Sequence, residues 1–517
     1  MNNNFLLLMP EFLVTGLAFL VLTADFFLRG DRKNFLPYLA VLGLIGALTF
    51  TLIDQWDRVD HLYEGLILID GYALFFKAFF LVLGVIVVLS SVEYVKRNLD
   101  NPGEYYGILI FTIVGMMLMA ASGELLTAYI SLELLSFGLY VLVSFDRYGA
   151  KSNEAGTKYI LLGAFSSALM LYGISQIYGL LGTTRFDGIA EALSATPDVS
   201  PGVLVGLVLI IAGLGFKVAS VPFHMWAPDA YEGAPIPVTA YLAVGSKAAA
   251  FALVLRFFVE ALMPAVGDWQ MIIVIMAALT MTVGNLVALA QSNLKRLLAY
   301  SSIGHVGYLL MGVAALAAVG DDGRIQLQLS HLASNGLMLH LVAYGVTNMA
   351  VFLGIAVVYN ATGKDDIANL AGLSRRAPFL SAVMAVSFFS LAGLPIFAGF
   401  ISKFYLFNAV ALQGLLWLAG LAIFTSLISL YYYLNVVRQI YIEDAPDPTP
   451  ISMPKLTDDY RKTAMISTNK VGKPNVDHYP IAHMKRFIPM LAVLLAVLVT
   501  AGTGVPTSGL ILSRDGG

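Results

Sequence analysis

Long apolar runs separated by short polar segments recur along the chain. A helix needs about 20 mainly apolar residues to cross the hydrocarbon core of a bilayer. Fourteen runs approach or exceed that length, so the pattern predicts an all-α polytopic membrane protein with about 14 transmembrane helices. The predicted spans are 5–28, 35–53, 67–92, 104–120, 122–144, 158–181, 202–225, 237–262, 270–291, 296–318, 327–358, 379–408, 413–437 and 484–503.

Basic residues in the connecting segments are distributed unequally between the two sides of this predicted topology. Thirteen follow odd-numbered spans, from Arg29 to Arg376, whereas three, Arg58, Arg185 and Arg324, follow even-numbered spans. The positive-inside rule places the first set in the cytoplasm and, for an even number of spans, both termini outside it. The long polar segment from Glu443 to Lys485 belongs to the cytoplasmic set, as a solvated linker or as a docking strip for a neighbouring subunit.

Two predicted spans contain proline-rich interruptions. In the seventh span Lys217 is followed by Pro222 and further prolines up to Pro237, and each proline removes a backbone donor. Irregular backbone at membrane depth is tolerated only where protein or a water-filled cavity surrounds it. The sequence therefore predicts broken helices near Ser220–Pro222 in span 7 and near Gly393–Pro395 in span 12. Paired interruptions of this kind are typical of inverted-repeat transporters.

Five ionisable residues lie deep inside predicted spans: Glu133, Lys217, Lys247, His305 and Lys403. Glu133 is about eleven residues into its span, which corresponds to a depth of roughly 16 Å. An unpaired charge at such a depth costs at least about 2.5 kcal/mol. The five groups therefore require partners, water or neutralisation. Since the charge of a carboxylate changes the proton affinity of a nearby lysine, a Glu–Lys pair is a plausible proton-coupling element.

Structural explanations remain open for several ionisable residues. Glu133 could form a static ion pair, and His305 could be a packing histidine. His224, in the interruption, could cap backbone groups and is kept as an accessory candidate. Packing or snorkelling is the preferred interpretation for His331, His340 and Lys77, and helix capping for Asp70 and Glu124. His224, Asp229 and Glu232 are not spaced to meet on one helical face, so no metal site is predicted.

The composition excludes several kinds of site within this chain. Of 517 residues, 58% are hydrophobic and 12% are charged, and the chain has no cysteine. Disulfides, iron–sulfur clusters and thiolate metal sites are therefore excluded within this chain, and any electron transfer is expected elsewhere. No basic patch interleaved with aromatic residues suggests nucleic-acid binding. The first span lacks a basic region and a cleavage site and is predicted to be a retained helix.

Five sequence stretches carry a specific resemblance to a known family. They are SLELLSF, LGFKVASVPFHMWAPDAYEGAP, SKAAAF, ALAQSNLKRLLAYSSIGHVGYLLMG and SLAGLPIFAGFISKFYLF, and the resemblance extends over roughly residues 65 to 440. The chain resembles the antiporter-like, proton-pumping membrane subunits of respiratory complex I, the NADH–quinone oxidoreductase. Within that family it is most similar to the branch called subunit N, on the form of PFHMWAPDAYEGAP and on Lys403.

The resemblance implies an architecture and residue roles. Two inverted five-helix repeats, spans 4–8 and 9–13, would contain broken helices 7 and 12. Glu133 and Lys217 would form the coupled pair of the first half-channel, Lys247 the central relay, His305 a link, and Lys403 the group of the exit half-channel. The expected organisation is three helices in 1–103, the repeats in 104–262 and 263–440, a cytoplasmic loop in 441–483, and the last helix with its tail in 484–517.

The resemblance also implies partners and a location. This chain would hold no cofactor and no metal, while NADH, FMN, iron–sulfur clusters and quinone would belong to partner subunits. M-like and K/J-like membrane subunits and lipids would be its neighbours, in a bacterial inner membrane or an equivalent energy-converting membrane. The alternative function is the large subunit of a multisubunit cation/proton antiporter. A purely structural scaffold is the third class, against which the five deep ionisable residues argue.

Overall fold

The computed structural model describes residues 5–195, 199–316 and 327–444, and helices dominate these ranges. The α-helices are α1 (Met9–Phe27), α2 (Leu36–Gln55), α3 (Gly71–Asn98), α4 (Pro102–Ala121), α5 (Leu125–Val143), α6 (Ala150–Leu181), α7 (Phe186–Ser194), α8 (Pro201–Val218), α9 (Trp226–Gly233), α10 (Ile236–Tyr241), α11 (Lys247–Glu260), α12 (Val266–Ala288), α13 (Leu294–Ala314), α14 (Leu327–Thr362), α15 (Leu373–Arg376), α16 (Pro378–Ala392), α17 (Ala398–Leu412) and α18 (Leu416–Tyr441). Short 3₁₀ helices cover Phe5–Leu8, Gly30–Phe35, Tyr63–Gly65, Met263–Ala265 and Ile367–Leu370.

The described residues contain 12 helical stretches that are long and apolar enough to cross a membrane. One of them is the continuous stretch Ile236–Glu260, in which a π-helical turn, Leu242–Ser246, joins α10 to α11. The shorter apolar helices α16 and α17 together correspond to predicted span 12. The predicted all-α membrane architecture is therefore confirmed. The fourteenth predicted span, 484–503, and most of the polar segment before it lie outside the described residues.

Three predicted boundaries are wrong. Span 3 does not begin at residue 67, because Ile67–Ile69 (β2) pairs antiparallel with Asp60–Leu62 (β1) in a small hairpin. Helix α3 begins after Asp70, whose side chain caps it by accepting a hydrogen bond from the backbone N–H of Ala73 at 2.7 Å. Span 6 begins eight residues earlier than predicted, at Ala150, and span 3 ends six residues later than predicted, at Asn98. Short apolar runs do not separate a strand from a helix by pattern alone.

Both predicted helix breaks are present. Helix α8 ends at Val218, and Ala219 adopts a left-handed conformation with φ of 62°. Helix α16 ends at Ala392, and Gly393 adopts the same conformation with φ of 81°. A left-handed residue after the last turn lets backbone N–H groups fold back on the final carbonyls. Each span therefore consists of two helical segments with an irregular turn between them.

The two sets of five spans share one packing pattern. In the first set α4 packs on α5, α5 on α6, and α6 on α8. In the second set α12 packs on α13, α13 on α14, and α14 on both halves of the broken span, α16 and α17. Because each set has five spans, an odd number, the second begins on the opposite side of the membrane. The architecture is therefore a pair of inverted five-helix repeats behind three N-terminal spans.

Charged side chains gather at one end of the bundle, on the short helix α9. Asp229 lies 2.7 Å from both Lys158 and Arg296. Glu232 lies 2.8 Å from Lys151 and 3.1 Å from Arg296. Burial by itself would raise the pKa of both carboxyls, but hydrogen bonds from their basic partners outweigh it and lower the pKa of each. These basic residues all follow odd-numbered spans, so their convergence on one end, called the basic face below, supports the predicted alternation of the helices.

A second ion pair is buried inside the three N-terminal spans. Lys77 of α3 is 0% exposed, and its Nζ lies 2.8 Å from Glu11 Oε1 of α1. The same ammonium donates a hydrogen bond to Gln55 Oε1 of α2 at 3.1 Å. Lys77 therefore does not snorkel to the membrane surface. It joins the three helices through a charged contact that the sequence pattern does not reveal.

Removal of Glu11 alone should destabilise the protein by roughly 3–5 kcal/mol, because it leaves a buried ammonium without its carboxylate. The double variant Glu11→Leu with Lys77→Met should recover most of that stability. Unfolding of the purified protein in detergent and SDS mixtures measures the difference. The control is Glu104→Ala, whose exposed pair with Arg147 (2.8 Å) should contribute about 1 kcal/mol or less. A loss for Glu11→Ala no greater than for this control would contradict the structural role of the pair.

Candidate functional site

Glu133 and Lys217 lie at the interface of α5, α6 and α8. Glu133 is partly buried and accepts a hydrogen bond from the hydroxyl of Ser167 at 2.5 Å. Lys217, 2% exposed, donates a hydrogen bond to Ser136 Oγ at 2.8 Å. Ser136 is three residues after Glu133, on the same face of α5. Among the described residues no ion pair joins Glu133 directly to Lys217. The ammonium is bound instead by Ser136, which was not among the predicted site residues and lies on the face of α5 that carries Glu133.

Aromatic packing closes the break that follows Lys217. The indole N–H of Trp226 donates a hydrogen bond to the carbonyl of Phe216 at 2.9 Å. The Trp226 ring stacks on Tyr159 with centroids 4.3 Å apart. His224 lies in the turn between α8 and α9, where its carbonyl accepts a hydrogen bond from Ala227 at 3.0 Å. Within the described residues its Nδ1 has no hydrogen-bond partner, and no hydrogen bond joins it to Glu133 or to the buried lysines.

Lys247 is the first residue after the π-helical turn of the eighth span and is 3% exposed. Its ammonium contacts the hydroxyl of Ser302 and lies 5.7 Å from the centre of the Tyr231 ring. Single π-helical turns inside a helix occur frequently at functional sites. None of these contacts is with a carboxylate, so neutral dipoles and a ring face surround this cation.

A row of polar side chains, called the histidine row below, leads from Lys247 across the second repeat. Ser302 Oγ lies 2.5 Å from the hydroxyl of Tyr344, whose ring centre is 5.0 Å from that of His305. His305 Nδ1 is 3.1 Å from His340 Nε2, and His340 Nδ1 is 2.9 Å from Ser402 Oγ. Ser402 directly precedes Lys403 in α17. The row thus brings Lys247 and His305 close together, with a ring contact between Tyr344 and His305, and it ends at the residue before Lys403.

His340 was not among the predicted site residues, because packing or snorkelling was the preferred interpretation for it. It is 1% exposed and bridges His305 of α13 to Ser402 of α17. A weak signal was available, because His340 lies as deep inside its long apolar helix as His305 does in its own. The contact partner could not be inferred, since His305 and His340 are on different helices.

Lys403 lies in α17, and its ammonium reaches back to the break of the twelfth span. Its ammonium donates hydrogen bonds to the carbonyls of Leu391 at 2.9 Å and Ala392 at 3.3 Å, and to Ser426 Oγ at 3.1 Å. It also lies 5.2 Å from the centre of the Tyr308 ring. The two carbonyls belong to the last turn of α16, where a helix leaves its carbonyls without intrahelical partners and carries partial negative charge. The broken helix therefore supplies the counter-charge for the lysine.

This arrangement allows a lysine to gain or lose a proton inside the membrane. Hydroxyl oxygens and imidazole nitrogens can donate or accept a hydrogen bond, so they suit both protonation states of a neighbouring amine. The histidine row consists of such groups. Glu133 with Lys217 forms a separate site, and among the described residues no chain of hydrogen bonds joins it to Lys247. Also among those residues, no group of three histidine, aspartate or glutamate side chains could hold a metal ion.

Comparison with known proteins gives consistent matches. The family described as "NADH:quinone oxidoreductase/Mrp antiporter, TM" matches residues 122–429. A protein named NADH-quinone oxidoreductase subunit N from Desulforamulus reducens is 42% identical over 410 residues, which cover 79% of this chain and 83% of that protein. A protein of the same name from Trichlorobacter lovleyi is 42% identical over 408 residues, 78% of this chain and 81% of that protein.

Solved structures share the fold over nearly the full length. A chain of respiratory complex I from Thermus thermophilus superposes with a TM-score of 0.72 at 29% identity, covering 95% of this chain and 97% of that one. A chain of the Mrp complex from Dietzia sp. DQ12-45-1b gives a TM-score of 0.76 at 20% identity and 98% coverage of both chains, a likeness of fold alone. The chain therefore belongs to the family of NADH:quinone oxidoreductase and Mrp antiporter membrane subunits, among the subunit N proteins of NADH-quinone oxidoreductase.

Proposed function

We propose that this chain translocates protons as a membrane-arm subunit of a respiratory NADH–quinone oxidoreductase or of a complex using a related electron donor. The observation that carries the proposal is the buried histidine row, whose hydroxyl and imidazole groups lie between Lys247 and Lys403, two lysines that bind no carboxylate among the described residues. Fixed dipoles around such cations make either charge state tolerable at membrane depth. The subunit N relatives at 42% identity support the assignment to this complex.

Energy for the transfer comes from redox chemistry in other subunits. This chain has no cysteine to bind an iron–sulfur cluster. We therefore assign NADH, FMN, iron–sulfur clusters and quinone to partner subunits, and this chain acts without a redox centre of its own. M-like and K/J-like membrane subunits are the proposed neighbours, in a bacterial inner membrane or an equivalent energy-converting membrane.

Each predicted residue receives a step in the transfer. Glu133 controls whether Lys217, held on Ser136, keeps its proton. Lys247 is the central carrier, and a proton that leaves it passes the hydroxyls of Ser302 and Tyr344 to His305.

His305 and His340 continue the transfer towards Lys403. His305 passes the proton from Nδ1 to Nε2 of His340, which releases one from Nδ1 to Ser402 beside Lys403. Every relay group accepts one proton and releases one, so its charge is restored after each passage. His224, at the break of the seventh span, stays an accessory candidate.

A large subunit of a multisubunit cation/proton antiporter is the alternative. The likeness to the Mrp complex at 20% identity supports the shared fold alone, whereas the subunit N relatives cover about four fifths of the chain at twice that identity. Purification of the complex from its native membrane distinguishes the two functions. Subunits carrying flavin and iron–sulfur clusters accompany the chain only under the proposed function.

The variant Glu133→Ala should reduce proton translocation per electron at least about tenfold, because Lys217 loses the anion that stabilises its charged form. Lys217→Ala should give a similar loss. Lys217→Arg should not restore activity, since a guanidinium does not deprotonate in proteins. Glu133→Asp should retain part of the activity. Proton translocation and electron transfer in membrane vesicles, with assembly checked on native gels, are the measurements, and Glu104→Ala is the surface control. Normal pumping by a fully assembled Glu133→Ala complex would contradict a role of Glu133 in proton transfer and would leave it a structural one.

The variant His340→Phe should interrupt the histidine row, because it keeps the ring shape and removes both nitrogens. Proton pumping should fall at least about tenfold, within the range that positioned proton-transfer groups contribute. His340→Gln should not rescue it, since an amide can hydrogen-bond Ser402 but does not exchange protons as an imidazole does. His331→Phe, on the same helix, is the matched control. If His340→Phe and His331→Phe pump equally well, His340 is a packing residue, as the sequence first indicated.

The proposed orientation places both termini on the non-cytoplasmic side. Tags inserted after Arg32, after Lys151 and within residues 443–485 should be accessible from the cytoplasm. The reason is that basic residues are concentrated in the segments that follow odd-numbered spans. A tag after Arg514 should be accessible from the other side. Labelling of intact and permeabilised cells measures accessibility. Detection of the two chain ends on opposite sides of the membrane would rule out the fourteen-span topology.

A further inference from the structure

A second buried polar network adjoins the histidine row at α13, where the ring centres of Tyr308 and His305 are 5.7 Å apart. It consists of Asn285 of α12, Ser301 and Tyr308 of α13, and Thr425, Tyr432 and Tyr433 of α18, and is called the tyrosine cluster below. All six side chains are at most 3% exposed. Polar groups buried to this extent are retained at a cost unless they are hydrogen-bonded or functional. The histidine row does not use any of them.

Asn285 is the centre of the cluster. Its Nδ2 donates a hydrogen bond to the hydroxyl of Tyr308 at 3.2 Å, and its Oδ1 accepts one from the hydroxyl of Tyr432 at 3.0 Å. The rings of Tyr432 and Tyr433 lie 4.5 Å apart, and the hydroxyl of Tyr433 contacts that of Ser301. One amide therefore fixes two tyrosine hydroxyls, and a third hydroxyl extends the network.

The cluster reaches Lys403 at one end. The hydroxyl of Tyr308 lies 3.3 Å from Thr425 Oγ1, and Ser426, the next residue, accepts a hydrogen bond from the Lys403 ammonium at 3.1 Å. The same ammonium lies over the Tyr308 ring at 5.2 Å. The Lys403 ammonium thus contacts the tyrosine cluster through the Tyr308 ring and through Ser426, the residue after Thr425.

The other end of the cluster approaches the basic face. Asn285 is three residues before the end of α12, about 5 Å along the helix axis. Ser301 is seven residues, about 10 Å, from the start of α13, where Lys295 and Arg296 lie. Tyr433 is eight residues, about 12 Å, from the end of α18. Near that end, the carbonyl of Gln439 accepts a hydrogen bond from the N–H of Gly372 at 3.2 Å. Asp365, in the loop that leads to Gly372, lies 3.4 Å from Lys295. The end of α18 therefore also belongs to the basic face.

We propose that the tyrosine cluster is a proton-access route between the basic face and Lys403, separate from the histidine row. The proposal rests on the proposed role of Lys403 as a proton carrier. A proton entering at Tyr433 and Ser301 moves through Tyr432 and Tyr308 to Thr425 and Ser426, and then to the neutral amine of Lys403. Each hydroxyl oxygen accepts one proton and releases its own. The Asn285 amide does not pass protons, so it positions Tyr432 and Tyr308, and a water beside it carries the proton between their hydroxyls.

The test uses the isosteric variant Tyr432→Phe in the assembled complex, in vesicles whose external buffer bathes the basic face. Without the hydroxyl, Lys403 receives protons through the histidine row alone, so the pumping rate should fall at least threefold at external pH 8. Lowering the external pH to 6.5 should restore much of it, because a higher proton concentration compensates for a slower route. Tyr431→Phe, one residue away and 69% exposed, is the matched control and should behave as wild type. Orientation of the vesicles is verified with a tag after Tyr148, in the exposed turn before α6.

Three further variants separate the possible outcomes. Tyr433→Phe should reproduce the pH-dependent loss of Tyr432→Phe, whereas the loss of pumping in His340→Phe should not recover at low external pH. Wild-type pumping by Tyr432→Phe at both pH values overturns the route. A loss that is equal at both pH values also overturns it and leaves a positioning role for Tyr432. Normal pumping by Lys403→Ala would instead refute the proposed carrier role of Lys403, which this variant tests independently of the cluster.

Discussion

The placement of lysine ammonium groups at membrane depth without a carboxylate partner is the constraint on which the second repeat depends. Lys403 meets it through the carbonyls of Leu391 and Ala392, which are available only because α16 stops at Ala392. In a continuous helix both carbonyls would bond to backbone N–H groups four residues later. The helix break and the buried lysine are therefore one feature, and a chain that kept the lysine and straightened the helix would leave a cation unsolvated.

Comparison with Lys77 shows why neutral partners matter for function. Lys77 is paired with Glu11 at 2.8 Å, and loss of its proton would leave a buried carboxylate without a counter-ion. That coupling favours one charge state and makes the pair a structural element. Lys247 and Lys403 are surrounded by hydroxyls, carbonyls and ring faces, which lose little when the amine becomes neutral. Two equally buried kinds of lysine are thus distinguished by the charge of their neighbours rather than by their depth.

The sequence reveals features that depend on local pattern and hides those that depend on contacts between helices. Apolar length and proline positions are local, so the spans and both breaks could be predicted. The hairpin of Asp60–Leu62 and Ile67–Ile69 was missed because its apolar run continues into α3 and is too short to show a strand period. The bridging residues Ser136 and His340 were missed because their roles arise from partners on other helices, Lys217 and His305, that no spacing rule identifies.

The short helix α9 connects the parts of the site that hydrogen bonds do not join. Its first residue, Trp226, closes the break beside Lys217, and Tyr231 places its ring face under Lys247. Between and after them, Asp229 and Glu232 bind basic side chains of α6 and α13. Their lowered pKa values keep both carboxylates charged at neutral pH, so this anchor persists there and weakens only as the pH falls through those values. A displacement of α9 would therefore change the surroundings of Lys217 and Lys247 together, and it would act on the second repeat through Arg296 of α13.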